Sequence, residues 1–447
     1  MAVDDIARTD SGTYDDDTLS RYQIVVITLC AIIALLDGFD TQAIGFVAPV
    51  IAADWGQSLA GFGPIFAVGL LGGLLGAILF GLVADRKGRR VTLLTTVALF
   101  ALGSLLTALA HTPSELGLFR FLTGLGLGGA MPSIIALTSE YAPARMRNTL
   151  VSAMFCGFPL GAVVGALVST SLIAQFGWMS VFLLGGIIPM VLLPVLTWKI
   201  PESLGWLAAR GDHVRIDAIL ARMGQTRVRT EPVVGEPAPR KSSIAALFVG
   251  GRAFGTILLA MVFFVSLLIV YLMVSWIPGI AVQAGHSVGF GVLSAGVLNL
   301  AGIIGSLTIG ALSDRMGAYR IVGIAYVLGA LAIIALALLA APGATILPFC
   351  VLAGFFCIGS QMCAVSIASQ FYPVELRGAG VGWAMGMGRF GAIAGPLIGA
   401  TLISADGAQR LFTLVAILSA VAGIGILAMG GVVRRHRFTL AKSQLAI

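Results

Sequence analysis

Four charged residues stand inside stretches of sequence that are otherwise apolar: Asp37, Asp40, Arg120 and Arg389. A charge at membrane depth costs about 3 kcal/mol or more, so each has to be paired, solvated or put to use. Two acids and two bases sum to zero, which points to internal pairing. Asp37 and Asp40 are three residues apart and share a helical face. Two carboxylates one turn apart resist joint ionisation, so one of them is expected to hold a proton. That is the chemistry of a proton carrier. The alternative is that Asp40 only caps a broken turn between Gly38 and Gly45.

Depth along the chain suggests which charges meet. Asp37 lies about 22 Å into a first apolar span that begins near Tyr22, about 8 Å short of the far side of a ~30 Å core. Arg120 lies about 10 Å into a fourth span that runs the opposite way from Pro113. The two levels agree, so an Asp37–Arg120 ion pair is expected, which leaves Asp40 as the titrating group. Arg389 lies about 16 Å into an eleventh span, near the midplane. A guanidinium there suits a planar carboxylate, which it can grip with two parallel hydrogen bonds; the alternative is a structural pair with an acid of the chain. Asn299, Gln361, Phe155, Phe158, Tyr271 and Trp276 could line a cavity or simply pack.

The elements that must position these residues are membrane helices. Of the 447 residues, 58% are hydrophobic and 11% charged, against about 25% charged in soluble domains; the mean hydropathy is +1.01. Twelve apolar stretches are expected near 22–46, 59–84, 91–110, 113–139, 148–173, 178–199, 254–281, 288–313, 319–341, 344–370, 378–403 and 409–433. Of 27 basic residues, Arg410 alone falls in a loop opposite the termini, so both termini are expected on the cytoplasmic side. The net charge of +7 then reflects topology, or contact with anionic headgroups of the lipid bilayer, and nucleic acid is not an expected partner. The cysteines Cys30, Cys156, Cys350, Cys357 and Cys363 lie within spans at no metal-binding spacing, so neither a metal nor a cofactor is expected. Gly124-x-Gly126-x-Gly128-Gly129 superficially matches a dinucleotide fingerprint, but no strand precedes it, and it is expected to pack helices.

The sequence also repeats itself. Gly81-Leu82-Val83-Ala84-Asp85-Arg86-Lys87-Gly88 returns as Gly310-Ala311-Leu312-Ser313-Asp314-Arg315-Met316-Gly317, 229 positions later. Pro143, Arg147, Gly161 and Gly165 return as Pro373, Arg377, Gly391 and Gly395. Six spans per half, entering in the same direction, make parallel repeats, an architecture that resembles the major facilitator superfamily. The expected divisions are a disordered cytoplasmic tail (1–21), a first six-helix bundle (22–199), a cytoplasmic linker (200–252) with an amphipathic helix near 212–223, a second bundle (253–433) and a tail (434–447). The loop carrying Gly81, Asp85, Arg86, Gly88 and Arg89, echoed by Asp314 and Arg315, is expected to act as a cytoplasmic latch. Glu140 could join it through Arg147 or Arg377, or be a solvated helix end.

Several runs resemble the aromatic acid:proton symporters, above all the 4-hydroxybenzoate/protocatechuate transporters. They are Leu36-Asp37-Gly38-Phe39-Asp40-Thr41-Gln42, Arg120-Phe121-Leu122-Thr123-Gly124, Ser139-Glu140-Tyr141, Met154-Phe155-Cys156-Gly157-Phe158 and Gly388-Arg389-Phe390-Gly391. The resemblance implies an all-α membrane protein in the bacterial inner membrane that imports aromatic carboxylates with protons by alternating access and is sufficient as a monomer. It also implies a coupling role for Asp37 and Asp40, gate roles for Asp85, Arg86, Glu140 and Arg377, and matches Arg389 to the family's span-eleven arginine. Gly317-Ala318-Tyr319-Arg320 lacks a histidine that the hydroxybenzoate carriers have near there, and Pro201-Glu202-Ser203-Leu204-Gly205-Trp206-Leu207 is similar to a sugar-porter signature. A symporter or effluxer for another organic anion or a sugar is therefore the alternative. An enzyme is not expected, since no catalytic constellation appears. A receptor for aromatic acids is less expected too, since no stretch of the sequence reads as a signalling domain.

Overall fold

A computed structural model describes residues 19–143, 145–224, 244–249, 252–339, 345–402 and 407–444. The expected N-terminal tail lies outside the described residues up to position 18, as does the proline-bearing part of the linker. Among the described residues there is no β-strand. In a chain this apolar, only helices can satisfy every backbone N–H and C=O without water.

The first six crossings are α1 (Arg21–Asp54), α2 (Phe62–Lys87), α3 (Arg89–Thr107), α4 (Pro113–Tyr141), the broken pair α5 (Arg147–Phe155) and α6 (Gly157–Phe176), and α7 (Met179–Lys199). Two short helices follow, α8 (Leu204–Ala209) and α9 (His213–Met223). The other six are α10 (Ala253–Gln283), α11 (Val288–Met316), α12 (Ala318–Leu339), α13 (Ile346–Ala353) joined by a π-type turn to α14 (Gly359–Phe371), α15 (Val374–Leu402) and α16 (Gly407–Gln444). Eleven of these crossings are long and apolar enough to traverse a bilayer by composition alone. The twelfth, α15, has the length at 29 residues, but Arg389 and its many glycines lower its hydropathy.

The expected amphipathic helix is α9, which buries Ile216, Ile219, Leu220 and Met223 and exposes Val214 and Arg215. Gly124 and Gly128 of α4 lie so close to Gly69 and Gly73 of α2 that any side chain would strike backbone, so this run packs helices as expected. The repeated loop keeps its geometry as well as its sequence. Gly88 and Gly317 hold φ of +98° and +93°, a region that penalises residues with a Cβ.

The chain forms two compact units. One gathers residues up to Thr41, Val68–Ala162 and Phe176–Ala238; the other gathers Gln42–Ala67, Val163–Gln175 and the chain from Pro239. In the first, residues of α1, α3, α4, α7, α8 and α9 share one apolar core around Ile33, Phe100, Ile134 and Leu196. In the second, Phe46 and Ala166 pack with Val292 and Ala295 of α11.

Candidate functional site

A buried cluster of bonded charges in the first unit centres on Asp40. Its carboxylate accepts a hydrogen bond from Arg120 Nη1 at 2.9 Å, and its backbone carbonyl accepts one from Arg120 Nη2 at 3.0 Å. Side-chain exposures of 5% for Arg120 and 0% for Asp40 make this a desolvated pair. The second carboxylate oxygen lies 2.7 Å from the Ser104 hydroxyl, which is also 3.1 Å from the Phe182 carbonyl. A hydroxyl has one proton to give, and the shorter contact takes it. The guanidinium carbon lies 5.6 Å from the Phe182 ring centroid. Gly185 on α7 leaves room for the cluster, since a Cβ there would come within 3.1 Å of Ser104 Oγ and 3.3 Å of Asp40 Oδ1.

The structure thus corrects the expected Asp37–Arg120 pair. Asp40 lies about 4.5 Å beyond Asp37 along the axis and about 60° around it, less than depth counting resolves. Side chains tilt toward the N-terminus of their own helix. Arg120 on α4, which runs opposite to α1, therefore reaches past the level of Asp37 to Asp40. Asp37 is also buried, at 4% exposure, and accepts a hydrogen bond from Thr41 Oγ1 at 3.0 Å. Next to it in sequence, Gly38 lies against the Phe158 backbone, and Gly161 against Leu35, so α1 and α6 touch main chain to main chain. Phe155 packs on the apolar core.

In the second unit Arg389 is half-buried on α15 and has no hydrogen bond or ion pair among the described residues. The flanking Gly388 and Gly391 hold α15 against Phe263 and Phe264 of α10. Gln361 and Tyr271 are half-buried. Asn299 and Trp276 have their polar groups engaged inside the fold. Asn299 Nδ2 donates to Gln42 Oε1 at 2.9 Å and to the Ala295 carbonyl at 2.9 Å, while Gln42 Nε2 donates to Asn299 Oδ1 at 3.1 Å. Trp276 Nε1 donates to the Pro396 carbonyl at 3.0 Å, and its ring meets Phe66 edge-on.

In the loop after α2 a carboxylate from the segment after α7 takes the start of α3. Asp85 is exposed; its carboxylate meets Arg89 at 3.3 Å, and its backbone carbonyl accepts the Trp206 indole N–H at 3.2 Å. The anion at the start of α3 is Glu202, whose Oε1 accepts the backbone N–H groups of Arg89, Arg90 and Ser203 at 2.6, 3.0 and 2.9 Å. Glu140 faces α8 instead of the arginines suggested for it: it accepts from the Ser203 hydroxyl at 2.8 Å and the Leu204 N–H at 2.7 Å. The Tyr141 hydroxyl closes the set by donating to the Glu202 carbonyl at 2.8 Å. Two carboxylates thus fasten the segment after α7 to two helix ends. Arg86, Asp314, Arg315 and Arg377 are exposed, and Gly81 has open space beside it. Among the described residues no three His, Cys, Asp or Glu side chains converge as metal ligands would.

Ser104, Gln42 and Glu202 had no role assigned from sequence. The sequence signal for Gln42 is its polarity at membrane depth, two residues beyond Asp40. A serine among alanines and leucines, as Ser104 is, carries no such signal.

Residues 30–366 match the family model described as Major Facilitator Superfamily. A gallate transporter of Pseudomonas putida is 39% identical over 420 residues, covering 93% of this chain and 94% of that protein. A 4-hydroxybenzoate transporter of Pseudomonas aeruginosa is 38% identical, covering 92% and 93%. Among solved structures, a bacterial homologue of the human lysosomal transporter Spinster aligns with a TM-score of 0.74 at 16% identity, covering 92% of this chain and 97% of that one. At that identity the likeness concerns the fold alone.

Proposed function

We propose, because this chain belongs to the Major Facilitator Superfamily, that it is a secondary carrier for aromatic carboxylates of the hydroxybenzoate type. It is a multi-pass membrane protein with no enzymatic role. The carrier works in a bacterial inner membrane with both termini cytoplasmic, taking its cargo inward together with protons. The observation that carries the reading is Arg389: a guanidinium within a membrane crossing, without an ion pair among the described residues, in a chain whose relatives are named for benzoates. A bound carboxylate supplies the partner such a charge requires.

Coupling is assigned to the Asp37–Asp40 pair. Both terminal nitrogens of Arg120 are committed to Asp40, so Asp40 serves as the fixed counter-charge and Asp37 as the acid that gains and loses the proton. Neutral Asp37 can be enclosed at lower cost than the carboxylate, so protonation favours the closed intermediate between the two access states.

Uptake by proteoliposomes tests this directly. With an imposed inward proton gradient, labelled gallate or 4-hydroxybenzoate should accumulate above equilibrium, and glucose and xylose should not. Accumulation of a sugar instead, or aromatic uptake that ignores the gradient, overturns the respective half of the proposal.

A further inference from the structure

We propose that a cavity at the end of α7 binds the phosphoryl anion of a membrane phospholipid. The cavity has a volume of about 280 Å³ and lies wholly within the first unit, lined by the starts of α1 and α3, the end of α7, the segment after it, α8 and α9. Four cations line it, Arg90, Lys199, Arg215 and Arg222, against one acid, Glu202. That acid is already engaged by three backbone N–H groups, those of Arg89 and Arg90 at the start of α3 and that of Ser203. Arg215 shares its charge with Asp212 at 3.3 Å. Arg222 lies 5.9 Å from the ring of Tyr22, and Arg90 donates to the Thr197 carbonyl while its buried Nε has no partner among the described residues. Cations gathered in one recess repel each other, and an anion between them removes that penalty.

The setting selects a lipid over a free anion. The α7 crossing ends at Lys199, so the cavity opens at the boundary between hydrocarbon and water. Trp198 is 78% exposed there, with the Lys199 ammonium 3.8 Å from its ring centroid, the usual posture of an interfacial anchor. Val191 and Val195 lie on the same face of α7, at 69% and 43% exposure, and provide an apolar track for an acyl chain. A headgroup in the cavity would clasp α9 to the ends of α1, α3 and α7. The inference is independent of the transported cargo.

The test uses the full chain in nanodiscs of phosphatidylcholine, alone or with one-fifth phosphatidylglycerol, reading retained lipid by native mass spectrometry and the thermal midpoint. Phosphatidylglycerol should be retained about tenfold over phosphatidylcholine and should raise the midpoint, and Arg215→Gln/Arg222→Gln should abolish both effects. Arg215→Lys/Arg222→Lys should keep them, as should Arg315→Gln/Arg320→Gln, which removes exposed cations elsewhere. If millimolar inorganic phosphate alone reproduces the stabilisation, the anion site stands and its ligand is soluble. If the Arg215/Arg222 glutamine variant keeps the lipid effect, or the Arg315/Arg320 variant loses it equally, the proposal fails.

Discussion

Gln42 and Asn299, 257 positions apart in sequence, exchange hydrogen bonds through both ends of their amides. Each is only 3% exposed, so loss of Asn299 strands both ends of the Gln42 amide, and loss of Gln42 strands the Asn299 carbonyl and leaves its amide only the Ala295 carbonyl. Gln42→Ala and Asn299→Ala should each lower stability by about 2 kcal/mol, and the double variant by much less than their sum. Thermal melts of the four proteins of that cycle give the coupling, and simple additivity would show that the bridge contributes nothing.

The Arg120–Asp40 pair predicts a sharper asymmetry. Removing one member of a desolvated ion pair costs about 3–5 kcal/mol because the survivor stays buried and charged. Arg120→Gln should therefore destabilise the protein severely, and Asp40→Asn in the same chain should restore a substantial part of the loss. A double variant less stable than Arg120→Gln alone would contradict the observed pairing.

Asp37 predicts a separation of activities. Asp37→Asn preserves the shape of the side chain but cannot exchange a proton. Counterflow of labelled against unlabelled substrate should persist, while accumulation driven by a pH gradient should fall to the level seen without one. If gradient-driven accumulation survives in Asp37→Asn, the proton is carried elsewhere.

Arg389 tests the cargo assignment. Lysine keeps the charge but gives up the planar fork, so Arg389→Lys should raise KM for the aromatic acid roughly tenfold with a smaller change in turnover. Arg389→Gln should lose binding almost entirely. Equal KM values for the native protein and Arg389→Gln would remove this residue from the site.

These residues also mark how far the sequence could be read. The helices, their order and the duplicated loop were legible because a continuously apolar span of about 20 residues crosses hydrocarbon as a helix and because glycine recurs where positive φ is required, as at Gly88 and Gly317. That Arg120 belongs near the paired aspartates was legible from depth. Which aspartate it takes was not, because that depends on the tilt of side chains from two opposed helices over less than one turn. Asp85 stood out through its repeat, whereas the carboxylate at the start of α3 comes from Glu202, 112 residues beyond Arg90, a distance that no local pattern encodes.

Glu202 gives the last prediction. Its carboxylate completes the first N–H groups of α3, where the helix dipole favours negative charge, and its carbonyl receives the Tyr141 hydroxyl. Glu202→Gln keeps an acceptor oxygen but removes the charge, so it should cost about 1 kcal/mol, and Glu202→Ala about 2 kcal/mol. Asp85→Asn, which removes an exposed charge paired with Arg89 four residues on, should cost less than about 0.5 kcal/mol. Thermal melts of the three variants rank them. If Asp85→Asn proved the most damaging to stability, the loop would be held by its own aspartate and the capping role assigned to Glu202 would be wrong.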